Sequence, residues 1–436
     1  MKIAMIVGRF PAISETFIVT KFLGLLDRGV DVEIIAGRSS KEWERFPGLK
    51  ERADIRRRVR ITPYHGFKPL VVILMPFVLL WKCCNCSRDF IRFARHYISK
   101  FGFGMESFKW LYLRSPFMGR EYDLIHVEFG YFSPQSVELK EILGCKMVCS
   151  FRGSDIAAAP LKNPHIYNEV LAKADALHFA SDFFRREALR RGCPADARFA
   201  VITGAIDTAF FDSEISHASD SGDRPLRLLS VARVTWLKGH EYALEAVRLV
   251  HNASCSVQYR IVGPMADAES AIRYSIDDMR LNEVVTIAGP ASGENVRSHY
   301  EWADIYVHPS VQEGISNAVL EAQSMQVPVI VSDAGALPEA VEDGVTGFVV
   351  PRRDARAMAE KIKLLADDPA LRLQMGKSGR ERILNSFRIE DQIDKFYDLY
   401  SNLLDGNEAA LPRMGDASAD IGVRNPASDE ALESEI

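Results

Sequence analysis

The stretch His308 to Val331, HPSVQEGISNAVLEAQSMQVPVIV, decides the reading of the chain. It begins at the end of the apolar run Ile305-Tyr306-Val307, a pattern that predicts a buried strand. Pro309 and Gly314 hold a loop open after it. Asn317 is expected to cap a helix reaching about Gln326, because its side chain can accept from an unpaired backbone N–H. Val327 to Val331 then resumes as a strand. A strand, a loop and a helix start at the carboxyl edge of a parallel sheet make an anion site. Two carboxylates bracket it, Glu313 in the loop and Glu321 one turn into the helix. Gly314 to Ser316 are not helical, so the two acids need not share a face and can hold opposite ends of one elongated ligand. The bland alternative is a solvated helix face.

Composition bounds what surrounds this stretch. A chain of 436 residues is long enough for two domains with full cores. Its 47% hydrophobic and 26% charged residues are those of a soluble globular protein. A net charge of −5 gives no global attraction to nucleic acid. The seven cysteines, three of them crowded at Cys83, Cys84 and Cys86, form no disulfide pattern, so a reducing, cytoplasmic compartment is expected. They also lack zinc-ligand spacing, and no metal is expected. The apolar part of MKIAMIVGRFP is too short for a signal peptide and reads as the first strand.

In chain order, Lys2 to Val7 is that strand, Gly8 to Ser14 a loop, and Glu15 to Asp27 a helix with Ser14 as its N-cap. Val30 to Ala36 is the second strand, so the start is Rossmann-like. No G-x-G-x-x-G appears, which argues against a dinucleotide. Residues 38–118 are the least legible. They are basic around Arg56-Arg57-Arg58 and Arg88 to Arg95, with an apolar run from Pro69 to Trp81 broken by Pro76. That run is too short to span a bilayer. Two readings stay open: a buried helix among solvated charges, or peripheral contact with an anionic membrane surface at the cytoplasmic face of an inner membrane. Further strands are expected at Tyr122 to Val127, Lys146 to Phe151, Ala176 to Ala180 and Phe199 to Thr203. Beyond a polar linker come Leu226 to Val231, the strand ending in Gly263 and the one ending in Gly289. The domains expected are 1–212, a linker 213–225, 226–386, a helix 387–404 crossing back to the first domain, and a disordered acidic tail 405–436.

These segments resemble a known family. Pro309, Ser310, Glu313, Gly314, Glu321 and Ala322 match the P-S-x-x-E-G-x-x-x-x-x-x-E-A signature of retaining GT-B glycosyltransferases, glycosyltransferase family 4. Phe10 to Ile18 resembles the F-P-x-x-S-E-T-F of colanic-acid and exopolysaccharide transferases. Gly204-Ala205-Ile206-Asp207 is similar to the N-G-V-D where the first domain of such enzymes ends. Arg233 to Gly239 resembles their G-R-x-x-x-x-K-G turn, with Ala232 in place of the first glycine. Arg260 to Pro264 is similar to I-x-G-x-G-P, minus a glycine. Glu128 and Arg152 stand where relatives often carry histidines.

The resemblance implies an α/β fold of the GT-B kind, two Rossmann-like domains facing each other across a cleft. It implies a retaining transferase that moves a sugar from a UDP- or GDP-sugar to a glycan or polyprenyl-diphosphate-linked acceptor in bacterial-type surface polysaccharide biosynthesis. Glu321 would hold the ribose. Arg233, Lys238 and the backbone of Gly314, Ile315, Ser316 and Asn317 would hold the diphosphate, with Gly263 and Gly289 lining the donor site. Glu313 would bind the donor sugar. Arg152 either acts electrostatically there or is salt-bridged to Glu128. Ser14, Glu15, Glu128 and Asp155 would lie on the acceptor or phosphate side. No cofactor beyond the nucleotide sugar and no metal is implied. A sugar-nucleotide epimerase of the same architecture and a non-catalytic nucleotide-sugar- or glycan-binding protein are the alternatives.

Overall fold

The structure, a computed structural model, describes every residue except 13–14, 53, 63–67, 214–223, 292 and 417–436. The expected cap Ser14, most of the linker and the last part of the tail lie outside the described residues. Among the described residues, Met1–Phe179, Phe184–Ile202 and the chain from Ile393 to residue 416 form one unit, and Ala180–Phe183 with Thr203–Gln392 form a second. The small exchange at Ala180–Phe183 has a local cause. Two of its backbone N–H groups, those of Asp182 and Phe183, donate to the Glu339 carboxylate at 2.9 and 2.6 Å.

The first unit is built on seven parallel strands: β1 (Lys2–Phe10), β2 (Asp31–Ser39), β3 (Val59–Ile61), β4 (Leu124–Val127), β5 (Lys146–Phe151), β6 (Ala176–Phe179) and β7 (Phe199–Val201). Their order is β3-β2-β1-β4-β5-β6-β7. Ile3 to Val7 are all buried, as a central parallel strand covered on both faces requires. The first helix, Thr16–Asp27, buries Ile18, Val19 and Phe22 and ends before Gly29, whose φ of +77° suits glycine.

The second unit repeats the pattern with six strands: β8 (Leu226–Val231), β9 (Val257–Val262), β10 (Val285–Gly289), β11 (Ile305–His308), β12 (Val329–Ser332) and β13 (Gly347–Val350), ordered β10-β9-β8-β11-β12-β13. Alternate residues of these strands feed cores on opposite faces. Leu228, Ile305, Val307 and Ile330 join one core, and Leu229, Tyr306, Val329 and Val331 the other. Both sheets change winding direction beside β1 and β8, which places ligand sites at the carboxyl ends of those strands and their neighbours.

Three elements differ from expectation. The Asn317 helix runs Asn317–Ser324, and Ser316, not Asn317, holds the cap position; its side chain makes no capping bond. The helix Lys68–Asn85 continues through Pro76 and is followed by Ser87–Phe101 and Met105–Arg114. Tyr97 and Trp110 stack at 6.0 Å between the last two. The tail does not lose structure at residue 405. Phe199 donates its N–H to the Pro412 carbonyl at 3.1 Å, Met414 donates to that of Ala197 at 2.9 Å, and Leu411 and Met414 are buried. The edge strand β7 and Ala197 just before it offer those backbone groups, and two apolar side chains within an acidic stretch anchor the chain there.

The helix Ile389–Leu404 enters the first unit at Ile393. There Gly24 leaves room for Ile393: a Cβ at residue 24 would lie 2.1 Å from the Ile393 Cδ1. A similar close approach supports the glutamate stretch. In the helix Pro369–Ser386, a Cβ on Gly376 would fall 2.1 Å from the Gln326 carbonyl oxygen, just past the Asn317 helix. Gly376→Ala would raise helix propensity by about 1 kcal/mol at an open position. Here the steric cost reverses the sign, and urea unfolding should show a loss of about 1–3 kcal/mol.

Candidate functional site

The site in the second unit starts from two strand ends. β8 and β11 are neighbours, with Ile305 opposite Leu228. The turn after β8 is pinned by backbone bonds from Ala232 to Val262 (2.9 Å) and from Val234 to Pro264 (3.0 Å). Gly263 has φ +150°, and a Cβ there would meet the Ala232 carbonyl at 2.0 Å. Residue 263 must therefore be glycine. A short 3-10 turn, Trp236–Lys238, then leads to Gly239 at φ +62°, where a Cβ would lie 2.2 Å from the Pro309 carbonyl. The cationic turn and the β11 loop are thus held against each other by their backbones.

Their side chains meet as well. The Lys238 ammonium is ion-paired with Glu313, the two side chains being 17 % and 18 % exposed. Ser310 Oγ donates to the same Glu313 oxygen at 3.2 Å, and His308 Nε2 lies 3.3 Å from it. Burial alone would raise the Glu313 carboxyl. Lys238 and His308 outweigh it and hold the group down at about 2, so it is an anion at any working pH. Behind the loop, Gly335 at φ +59° brings its backbone against the Glu313 carbonyl, which accepts the Ala336 N–H at 3.1 Å.

A buried aromatic ladder joins this pair to the second acid. His308 Nδ1 is 3.0 Å from the Tyr306 hydroxyl, the two rings are stacked, and the Tyr306 and Tyr300 rings lie 5.9 Å apart. The Tyr300 hydroxyl donates to Glu321 at 2.7 Å. Burial pushes the Glu321 carboxyl up to about 7 despite that bond. The two acids therefore differ sharply in charge although seven residues separate them. Arg233 projects exposed from the same strand edge, two residues after Val231, whose carbonyl the Tyr306 hydroxyl reaches at 3.3 Å. Gly314 to Asn317 lead into the helix with no side chain capping it. Gly263 and Gly289 end the neighbouring strands β9 and β10, linked by the Gly263 N–H on the Gly289 carbonyl at 2.8 Å.

In the first unit, Arg152 and Glu128 are brought together. Arg152 Nη2 is 2.8 Å from Glu128 Oε2, Nε donates to the Glu128 carbonyl at 3.1 Å, and the guanidinium lies 4.5 Å over the Phe17 ring. Glu128 is fully buried and also ion-paired with Lys21, itself 1% exposed. Burial would lift the Glu128 carboxyl, but the two cations win and keep it low, while burial brings Lys21 down to about 8. His126 is a core residue, bonded to Ser150 at 2.7 Å and to Tyr400 at 2.5 Å. Glu128 therefore braces Arg152 and is not open to an acceptor. Asp155, expected on the acceptor side, is 1% exposed and accepts from the N–H groups of Gly130, Arg152, Gly153 and Ile156, so its oxygens are committed to the loop.

Glu15 has a different setting. It lines a cavity of about 730 Å³ over the ends of β1 and β2, with Arg9, Arg38, Trp110, Arg114 and Phe132 around it. Gly8 and Gly37 keep the cavity floor flat, since a Cβ at residue 8 would strike the Phe132 ring at 2.6 Å. Sequence reasoning missed Lys21, His308, Tyr300 and this cavity. The F-P-x-x-S-E-T-F segment was the one available signal: Phe10 packs on Phe22 and Trp43, Glu15 faces the cavity and Phe17 carries Arg152.

Residues 225–368 match the family described as Glycosyl transferases group 1, and residues 22–203 the Glycosyl transferase 4-like domain. The chain is 27% identical to the amylovoran biosynthesis glycosyltransferase AmsK of Erwinia amylovora over 420 residues, 89% of this chain and 96% of that one. It is 26% identical over 409 residues to a protein of Escherichia coli named for colanic acid biosynthesis, WcaL, with the same coverage. The Anabaena HepE structure with UDP superposes with a TM-score of 0.70 at 15% identity, covering 92% of this chain and all of that one. A sucrose-phosphate synthase from Thermosynechococcus elongatus gives 0.66 at 19%, covering 93% and 100%. The fold and both sets of turns are those of a two-domain glycosyltransferase. The chain belongs to glycosyltransferase family 4, with the GT-B architecture.

The raised Glu321 carboxyl has a consequence for stability. Between its ordinary value of 4.5 and its folded value of about 7, the folded chain holds a proton that the unfolded chain has released. This contribution is complete below the lower value and is lost as pH rises through the upper one. Urea midpoints of the parent should fall from about pH 5 to about pH 8, and Glu321→Gln should remove that part of the slope. In the first unit, Lys21→Met leaves the buried Glu128 with one cation. Thermal and urea unfolding should show a loss of up to about 3–5 kcal/mol, and Lys21→Met/Glu128→Leu should recover much of it.

Proposed function

We propose that the protein is a retaining, metal-independent glycosyltransferase that moves a sugar from a UDP- or GDP-sugar to a glycan or polyprenyl-diphosphate-linked acceptor during assembly of a bacterial-type surface polysaccharide. The observation that carries the reading is the single connected array in the second unit: Lys238, Glu313, His308, Tyr306, Tyr300 and Glu321, with Arg233 beside it. It supplies cations, an ionised acid and a second acid at one strand edge. The relatives' names, amylovoran and colanic acid biosynthesis, support the polysaccharide setting, and the UDP bound by HepE supports a nucleotide donor.

The chemistry follows from charge. As the glycosidic bond of the donor breaks, the leaving diphosphate gains negative charge. Arg233 grips oxygens in a fork and Lys238 adds a point charge, so both stabilise the transition state more than the ground state. Uncapped N–H groups at the Asn317 helix add to this field. When a diphosphate recruits Lys238, Glu313 is released from its ion pair to accept hydroxyls of the donor sugar. Glu321, poised near neutrality beside Tyr300, takes the ribose hydroxyls. The leaving phosphate assists the acceptor on the same face of the sugar, which gives retention. In the first unit the cavity ringed by Arg9, Arg38 and Arg114, with Trp110 and Phe132 as stacking surfaces, is where the acceptor is assigned. Arg152, held by Glu128, takes the place of the family's histidine as a fixed charge.

Incubation with a panel of nucleotide sugars and a lipid-linked precursor extract, read by mass spectrometry, tests the proposal. Net transfer with retained anomeric configuration is expected. Release of free or epimerised sugar without acceptor would overturn it. Glu313→Ala should abolish transfer while the fold stays intact, with the unfolding midpoint lowered because Lys238 loses its buried partner. Lys238→Ala should lower kcat/KM by the equivalent of about 2–4 kcal/mol, and a rate within about threefold of the parent would remove that lysine from the mechanism.

A further inference from the structure

We propose that the helices Lys68–Asn85 and Ser87–Phe101 form a docking face for an anionic bilayer leaflet. The inference rests on the reading of a lipid-linked acceptor and deepens it by assigning the surface that brings the enzyme to its lipid. Ile73, Phe77, Leu80 and Trp81 are 60%, 70%, 66% and 58% exposed. Their spacing of four, three and one residues puts them on one stripe of the first helix. The opposite stripe is apolar too: Met75 and Leu79 are buried against the unit. A surface helix ordinarily turns polar residues outward, so an apolar outer stripe marks a contact surface.

Charge selects the partner. The helix Lys68–Asn85 contains no acid, and the next one carries Arg88, Arg92, Arg95 and Lys100 against Asp89 alone. Arg92 is paired with Asp89 and Lys100 with Glu138. Arg88 and Arg95 are exposed and lie seven residues apart, with the exposed Ile91 between them. This local excess of positive charge stands on a chain whose net charge is −5, so it is a feature of the face and not of the protein at large. An apolar stripe with an exposed tryptophan, followed directly by a helix that exposes arginines, is complementary to an anionic lipid surface. No described helix is long and apolar enough to cross a membrane, so the face lies on the leaflet. The same block reaches the cavity. Tyr97 and Phe101 stack on Trp110, and Trp110 with Arg114 lines the cavity over β1 and β2.

Flotation of the full chain with phosphatidylcholine vesicles, with or without about 30 mol % phosphatidylglycerol, tests this. The parent should float with the anionic vesicles and bind neutral ones at least about tenfold more weakly, and high salt should reduce the anionic binding. Phe77→Glu/Trp81→Glu should lose about tenfold or more of the binding while keeping its unfolding midpoint and its transfer to a soluble acceptor. Arg88→Gln/Arg95→Gln should weaken binding to anionic vesicles and leave binding to neutral ones unchanged. The proposal falls if the parent does not float, if it ignores lipid charge, or if the Phe77/Trp81 variant binds like the parent. It also falls if sedimentation shows a dimer that this variant abolishes, since the stripe would then be a protein interface. A chain that transfers sugar but does not float overturns only the docking face; one that floats but transfers to no acceptor overturns only the proposed function.

Discussion

The ion pair between Lys238 and Glu313 is the constraint around which the second unit is arranged. A carboxylate and an ammonium, each mostly withdrawn from water, are costly to place unless geometry and further hydrogen bonds compensate. Ser310 and His308 supply those bonds, and three glycines supply the geometry by letting backbone approach backbone. Gly263 abuts Ala232, Gly239 abuts Pro309 and Gly335 abuts Glu313. The pair thereby ties β8, β11 and the segment after β12 into one edge. Within that edge the two charges satisfy each other.

The first unit solves a related problem with different residues. Here Glu128 and Arg152 face each other, and a buried lysine balances the charge. Lys21 lies against Glu128 on one side and over the Phe396 ring, at 4.1 Å, on the other. The polar chain continues through His126, Ser150 and His178 to the Ile202 carbonyl at 2.9 Å. Burial holds both histidines neutral, so the charge that reaches the surface of this network is that of Arg152.

Much of this was legible in the residues, and the illegible part has a physical reason. The strands and the turns at their carboxyl ends announce themselves through apolar runs closed by glycine, proline and isolated charges. Glu313 and Glu321 stand out because they fall in one stretch that resembles a family signature, and Lys238 because it closes a turn that resembles another. Lys21 does not: in V-T-K-F it looks like an ordinary helix lysine, and its burial depends on a glutamate more than a hundred residues away. Asp155 misled for the opposite reason, since a short acid after a glycine reads equally well as a ligand or as a clamp for backbone N–H groups. The apolar tail contacts at Leu411 and Met414 were hidden by the acidity of their surroundings, and the Ser316 start of the glutamate helix by its neighbour Asn317, an equally good capping residue.

The return of the last helix has a consequence for how the polypeptide can be divided. Neither unit is a continuous piece of sequence, because Ile393 onward completes the first and Ala180–Phe183 belongs to the second. A fragment severed at residue 212 would leave empty the niche that Gly24 keeps for Ile393. It would also strip Lys21 of the Phe396 ring and His126 of the Tyr400 hydroxyl. Autonomous production of that half therefore calls for grafting the terminal helix back, or for supplying it in trans as a separate peptide.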